Sequence, residues 1–238
     1  MSRYSRRWSI SNFVVAYAGS CSTIGRPGEH ARIQELDLMF RRSVVLVAVV
    51  GIVLAACRPG VATGDLQGVV LETPQAKGSF VLTDTAGDAY DFGERTEGKL
   101  ALLYFGYTEC PDICPVHLAQ IAEVLDQNAE LARNIEVVFV SVDPDRDTFA
   151  EIREFLDHFD TRFVGLTGTH EELASAQEAV GVPPARVFGE GDDYTVDHAG
   201  WVLAYAPDGL GYSIYPFGTR QSEWGNDLQA LASIEPGG

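Results

Sequence analysis

The chain has 238 residues, room for one or two domains, and carries 17 basic against 34 acidic residues for a formal net charge of −17. So acidic a surface excludes nucleic-acid binding, which needs clustered Lys and Arg to meet phosphates, and favours cationic partners or metal ions. The imbalance grows beyond residue 56, because the first 56 residues hold seven of the arginines and only three acids.

Those first 56 residues read as a leader rather than a domain. Residues 1–38 show no clear hydrophobic period and include Cys21 and His30, to which no function is assigned. Met39 follows them and is the expected true start, because what comes next is a complete signal. Arg41 and Arg42 precede an apolar run over residues 44–53, and Leu54-Ala-Ala-Cys57 closes it with small residues. The run is about a dozen residues, short of the roughly 20 that a spanning helix needs. Leu-Ala-Ala-Cys resembles the lipobox of lipoproteins. That resemblance implies a lipid on Cys57 and a protein anchored on the extracytoplasmic face of the cell membrane, with residues 57–68 as a tether. An uncleaved short anchor ending at Cys57 is the alternative, and it leaves the protein on the same side.

Residues 69–238 are expected to form one domain large enough for a full core. Residues 69–71 and 79–83 read as strands, and Asp84-Thr-Ala-Gly-Asp88 as a turn into residues 89–92, which predicts an N-terminal hairpin. Residues 100–107 form an apolar central strand. Residues 115–128 place Leu118, Ile121, Ala122 and Leu125 on one helix face. A buried strand over residues 136–142 is followed by a helix over 147–159, with Asp147 as N-cap and Phe149, Ile152 and Leu156 inward. Residues 161–166 are strand-like, and Thr169-His-Glu-Glu172 fits a capping box for a helix over 171–180. Strands near 185–188 and 201–206, a turn at Pro207-Asp-Gly209 and a helix over 221–234 complete the pattern. The fold class is α/β, a central mixed sheet flanked by helices with a hairpin extension.

The densest chemistry is Cys110-Pro-Asp-Ile-Cys114-Pro115, between the apolar strand and the first helix. A helix start gathers unpaired N–H groups and the positive end of the macrodipole, which shift a cysteine toward thiolate. Positions four apart on a helix place their β-carbons roughly 5–6 Å apart. A disulfide wants about 3.8 Å, so this pair closes only with local unwinding. Two sulfurs sharing a metal each stand about 2.3 Å from the ion and need less closure. The spacing therefore suits a metal clamp at least as well as a redox switch. Of the histidines after the leader, His117, His158 and His170 fall on polar faces or first turns of helices and read as solvated. His198 lies in a loop leading into an apolar strand, where loops presented by a sheet carry chemistry, and Asp197 beside it is placed to orient or charge-balance the ring.

Three stretches together carry a resemblance: residues 105–115, Val140-Ser-Val-Asp-Pro-Asp-Arg-Asp-Thr148 and Val196-Asp-His198. In order and separation they resemble the signatures of the Sco/SenC copper-chaperone family over roughly residues 65–235. The resemblance implies a thioredoxin-like fold and one copper per monomer, Cu(I) with Cu(II) also reachable, held by Cys110, Cys114 and His198. It also implies a role in assembling the dinuclear copper site of cytochrome c oxidase subunit II, or of another copper protein, by donating copper, by reducing that subunit's cysteines, or both. Ala199 stands where the family commonly has Ser.

The donor set agrees with the resemblance, since two thiolates and one imidazole suit Cu(I). No methionine follows Met39, which excludes thioether-rich carriers and an axial Met ligand. Zinc completed by Asp112 or Asp197 stays open, as does metal-free thiol–disulfide exchange with Cys110 attacking and Cys114 resolving. A peroxidase is disfavoured by the missing upstream Pro-x-x-x-Thr-x-x-Cys. Arg146 is expected to form a surface ion pair, the alternative for residues 143–147 being a role in shaping the metal loop or docking a partner, and Tyr107 and Trp201 to shield the site or pack.

Overall fold

Leu100–Gly106 carries a single polar side-chain group, the Tyr104 hydroxyl, and all seven of its residues are buried. A strand buried on both faces must lie inside a sheet covered on both sides, and the rest of the chain is arranged to cover it. The computed structural model describes residues 65–191 and 193–236. The signal-like segment, Cys21, His30, Met39 and Cys57 lie outside the described residues.

In chain order the strands are β1 (Val69–Ala76), β2 (Val81–Asp84), β3 (Ala89–Asp91), β4 (Leu100–Gly106), β5 (Ile135–Ser141), β6 (Val164–Thr167), β7 (Arg186–Glu190), β8 (Asp193–Asp197), β9 (Trp201–Tyr205) and β10 (Leu210–Pro216). The helices are α1 (Phe92–Arg95), α2 (Ile113–Asp126), α3 (Leu131–Asn134), α4 (Phe149–Asp157), α5 (His170–Ala179) and α6 (Gln221–Ala232). Eight strands form one mixed sheet in the order β1-β10-β9-β4-β5-β6-β2-β3, and β7 and β8 pair as a separate hairpin. The β4, β5 and β6 pairings are parallel, and the others in the sheet are antiparallel. The expected mixed sheet and the β2–β3 hairpin are both present. Two strands, β8 and β10, were not anticipated.

Helix α2 buries Leu118, Ile121 and Leu125, each to 3% exposure or less, and packs against α6. Each such side chain contributes about 1.5–3 kcal/mol of transfer free energy. Helix α5 begins with the expected capping box, Thr169 accepting from the Glu172 N–H and Glu172 from the Thr169 N–H. Helix α4 begins one residue later than expected at its cap: Thr148, not Asp147, is the N-cap, with a reciprocal bond to Glu151. Phe149, expected inward, is exposed, while Ile152 and Leu156 are fully buried.

Residues 65–68, expected as the end of a tether, are held to the domain. Leu66 is buried, and the N–H groups of Gln67 and Gly68 donate to the Asp227 carboxylate at 2.8–3.0 Å. Asp227 on α6 is fully buried and also accepts from the Tyr215 hydroxyl. The Asp227→Ala change leaves these donors without an acceptor. Hydrogen bonds to a charged group contribute about 1.5–3 kcal/mol each, so a loss of about 3 kcal/mol is expected in denaturant unfolding, with residues 65–68 becoming the first amides to exchange.

Candidate metal centre

The sheet brings three loops to one end. Parallel pairing sets Gly106 beside Ser141, so the turn after β4 and the turn after β5 leave side by side, and the Val142 N–H donates to the Gly106 carbonyl at 2.8 Å. Antiparallel pairing sets Leu103 against Leu203. Continuing that register brings the loop before β9 level with the turn after β4. Sites in α/β sheets form at such carboxyl ends.

Cys110 lies in the turn after β4 and Cys114 in the first turn of α2. Asp112, at the N-cap position, makes no side-chain cap bond. The Cys110 sulfur takes that place and accepts from the Cys114 N–H at 3.4 Å. Gly106 is needed for the close approach, because a β-carbon there would stand 2.8 Å from the Cys114 sulfur and 2.7 Å from the Phe139 ring. The Tyr104 hydroxyl lies 3.3 Å from the Cys114 sulfur and donates to it.

His198 arrives from the β8–β9 loop. Its Nε2 lies 3.9 Å from the Cys110 sulfur and 3.8 Å from the Cys114 sulfur. Its Nδ1 is 3.2 Å from the Ala199 carbonyl. A carbonyl only accepts, so Nδ1 donates to it, and Nε2 faces both sulfurs. The main chain of Ala199 thus holds the ring. Asp197, expected to orient it, is exposed and turned to the rim of the cleft with Asp112. Tyr107 packs edge-on against the ring at 5.6 Å between centroids. Trp201 heads β9 and packs partly buried against the core.

The three donor atoms lie within 4.8 Å of one another. With thiolate and imidazole bonds of about 2.3 and 2.0 Å, a trigonal ion would set S and N about 3.7 Å apart, close to the observed separations. Cys110 and His198 line an open cleft of about 250 Å³, and Cys114 is buried. A larger cleft of about 650 Å³ runs between Thr83, Thr148 and Thr169 and contains no cysteine.

The two thiols differ in acidity. A hydrogen bond from Cys114 lowers Cys110 to a pKa of about 4 against the opposing effect of burial, helped by His198 and by the N–H groups of Cys114 and Asp112. Burial, followed by the neighbouring Cys110 thiolate, pushes Cys114 up. Cys110 is therefore the thiolate of the pair.

Three sequence expectations are corrected nearby. His117 is not solvated: it is 1% exposed, its ring packed edge-on against Tyr104 and Trp224, and burial holds it below the ordinary imidazole value. Its spacing of three from Cys114 and four from Ile121 was the signal for an inward face. Asp147 is no cap. It is 2% exposed and accepts from the Thr108 N–H at 2.9 Å and from the Thr108 and Ser141 hydroxyls. Burial raises its pKa against those bonds. Arg146 is no loose surface charge either. It bonds Asp143, itself 1% exposed, and removing one partner of so buried a pair costs about 3–5 kcal/mol.

The family model described as SCO1/SenC matches residues 70–233. An SCO2-like protein of Rickettsia conorii is 36% identical over 134 residues, covering 56% of this chain and 65% of that protein's length. Among solved structures, ScoI of Bradyrhizobium japonicum with copper bound is 35% identical with a TM-score of 0.59, covering 66% of this chain and 99% of that one. Yeast Sco1 with copper bound is 28% identical with a TM-score of 0.61, covering 68% and 92%.

Alkylation by iodoacetamide reads the thiolate directly. The rate at Cys110 is expected to stay level from pH 8 to about pH 5 and to fall as the pH drops through about 4. His198→Ala removes one stabilising partner and moves the inflection upward. Cys114 is expected to stay unlabelled in the folded protein, and an inflection near 9 at Cys110 would contradict the assignment.

Proposed function

Because the chain belongs to the SCO1/SenC family, we propose that it is a membrane-tethered copper carrier that serves the dinuclear copper site of cytochrome c oxidase subunit II. The observation that carries this reading is the convergence of Cys110, Cys114 and His198, with one ring nitrogen facing two sulfurs. Two sulfurs and one nitrogen form a soft set that favours Cu(I) and also reaches Cu(II), and a structural zinc normally takes a fourth protein ligand. In this reading the three side chains hold one copper ion per monomer as cargo. Three-coordination leaves a side open to the cleft, where an incoming cysteine or histidine of the acceptor adds and the weakest of the chain's own donors leaves. The tether and the extracytoplasmic location rest on Leu54-Ala-Ala-Cys57, and another copper protein is the alternative acceptor.

One observation favours a second reading, the unequal acidity of the thiols. The Cys110 thiolate attacks a disulfide of the target, forming a mixed disulfide and releasing one target thiolate. Cys114 gives up its proton and attacks the Cys110 sulfur, which releases the second target thiolate and leaves a Cys110–Cys114 disulfide. Two electrons pass from the pair to the target, which prepares the acceptor's cysteines for copper.

Anaerobic titration of the reduced chain with Cu(I) against a competing chelator separates the readings. One tight equivalent is expected. His198→Ala and Cys110→Ser each remove a ligand, so each is expected to weaken it by at least about 100-fold, the upper end of what outer-shell changes cost. Weak binding that ignores His198, beside a readily reduced Cys110–Cys114 disulfide, would leave thiol exchange as the function.

A further inference from the structure

The hairpin that delivers His198 is not part of the main sheet. Strands β7 and β8 pair with each other, and Val187 and Phe188 on β7 are more than half exposed. A free two-stranded hairpin is marginal in water, yet this one places an imidazole within 3.9 Å of two sulfurs.

Arg146, in the turn after β5, meets this hairpin at Tyr194. Its guanidinium carbon lies 3.7 Å from the Tyr194 ring centroid, and its Nη1 donates to the Tyr194 carbonyl at 3.1 Å. The Tyr194 hydroxyl donates to Asp143 at 2.6 Å, and Arg146 bonds the other oxygen of that carboxylate at 2.6 Å. Arg146 also reaches the cysteine turn. Nη1 lies 2.8 Å from the Glu109 carboxylate, and the guanidinium carbon lies 5.7 Å from the Tyr107 ring. Tyr107 in turn stands against His198. Tyr194, Arg146, Tyr107 and His198 thus form one continuous column from the base of β8 to the donor ring.

We propose that Arg146 is a positioning residue for the metal centre, a strut that holds the β7–β8 hairpin, and with it His198, at the reach of Cys110 and Cys114. A planar guanidinium is suited to this, since it can stack on an aromatic ring while its edge bonds carboxylates and a carbonyl, which a lysine ammonium cannot do. The metal half of the claim rests on the copper reading above, and the hairpin half does not.

The test uses the full chain with Arg146→Lys, which keeps a charge for Asp143, and Tyr194→Leu, which keeps both members of the Arg146–Asp143 ion pair and removes the ring and the hydroxyl's bond to Asp143. Both are expected to weaken Cu(I) by about tenfold, the scale of outer-shell losses. In the His198→Ala background neither is expected to weaken it further, because the strut acts through that ring. In the metal-free protein, amide exchange over residues 193–197 is expected to speed up about tenfold while residues 135–141 hold. Cu(I) affinities within twofold of the parent, or losses that simply add to His198→Ala, would overturn the proposal. So would unchanged exchange in the hairpin. A parent chain that binds no Cu(I) would defeat the copper reading alone, and the exchange rates would then decide whether Arg146 holds the hairpin.

Discussion

The antiparallel pairing of β9 on β4 is the constraint on which the site depends. A two-cysteine turn is local and forms wherever a strand runs into a helix, but a third donor 84 residues beyond Cys114 can arrive only if the chain returns to the same end of the sheet. The Leu103–Leu203 register does this, and the fully buried β4 makes it rigid. The parallel β4–β5 pairing adds the turn at residues 143–147 beside it. That turn holds the cysteine loop through Asp147 and the hairpin through Arg146.

The same geometry divides the labour between the sulfurs. Cys114 is fully buried under the Tyr104 hydroxyl, whereas Cys110 sits where helix N–H groups and His198 converge on it. A thiolate that is already formed costs no deprotonation when a soft cation binds, and the same thiolate is the nucleophile for disulfide exchange. The two proposed readings, copper carriage and thiol reduction, therefore draw on one arrangement, and the reach of His198 is what separates them.

Much of this was legible in the sequence, and the failures have physical causes. Strand β4 and residues 137–140 of β5 announce themselves as unbroken apolar runs, and the Cys110, Cys114 and His198 set was implied by the resemblance of three stretches to the Sco/SenC signatures. Strand β10 hid because its buried positions are Gly211, Ser213 and Tyr215, so alternation pointed the hydrophobic face the wrong way. Strand β8 hid between glycines and acids in a hairpin with no sheet to bury it. Asp147 stood next to Thr148, two good caps in a row, and the acid found better partners in Thr108 and Ser141. The Arg146 column joins Arg146 to Tyr194, 48 positions on, and Tyr107 to His198, farther still, a relation that no local pattern encodes.

The central claim is that two sulfurs and one imidazole from separate loops close on a single ion. X-ray absorption of the chain loaded with one equivalent of Cu(I) tests it most directly. The account predicts a shell of two sulfurs and one imidazole nitrogen that loses its nitrogen in His198→Ala. A shell of two sulfurs alone in the parent protein, unchanged by that substitution, would contradict it.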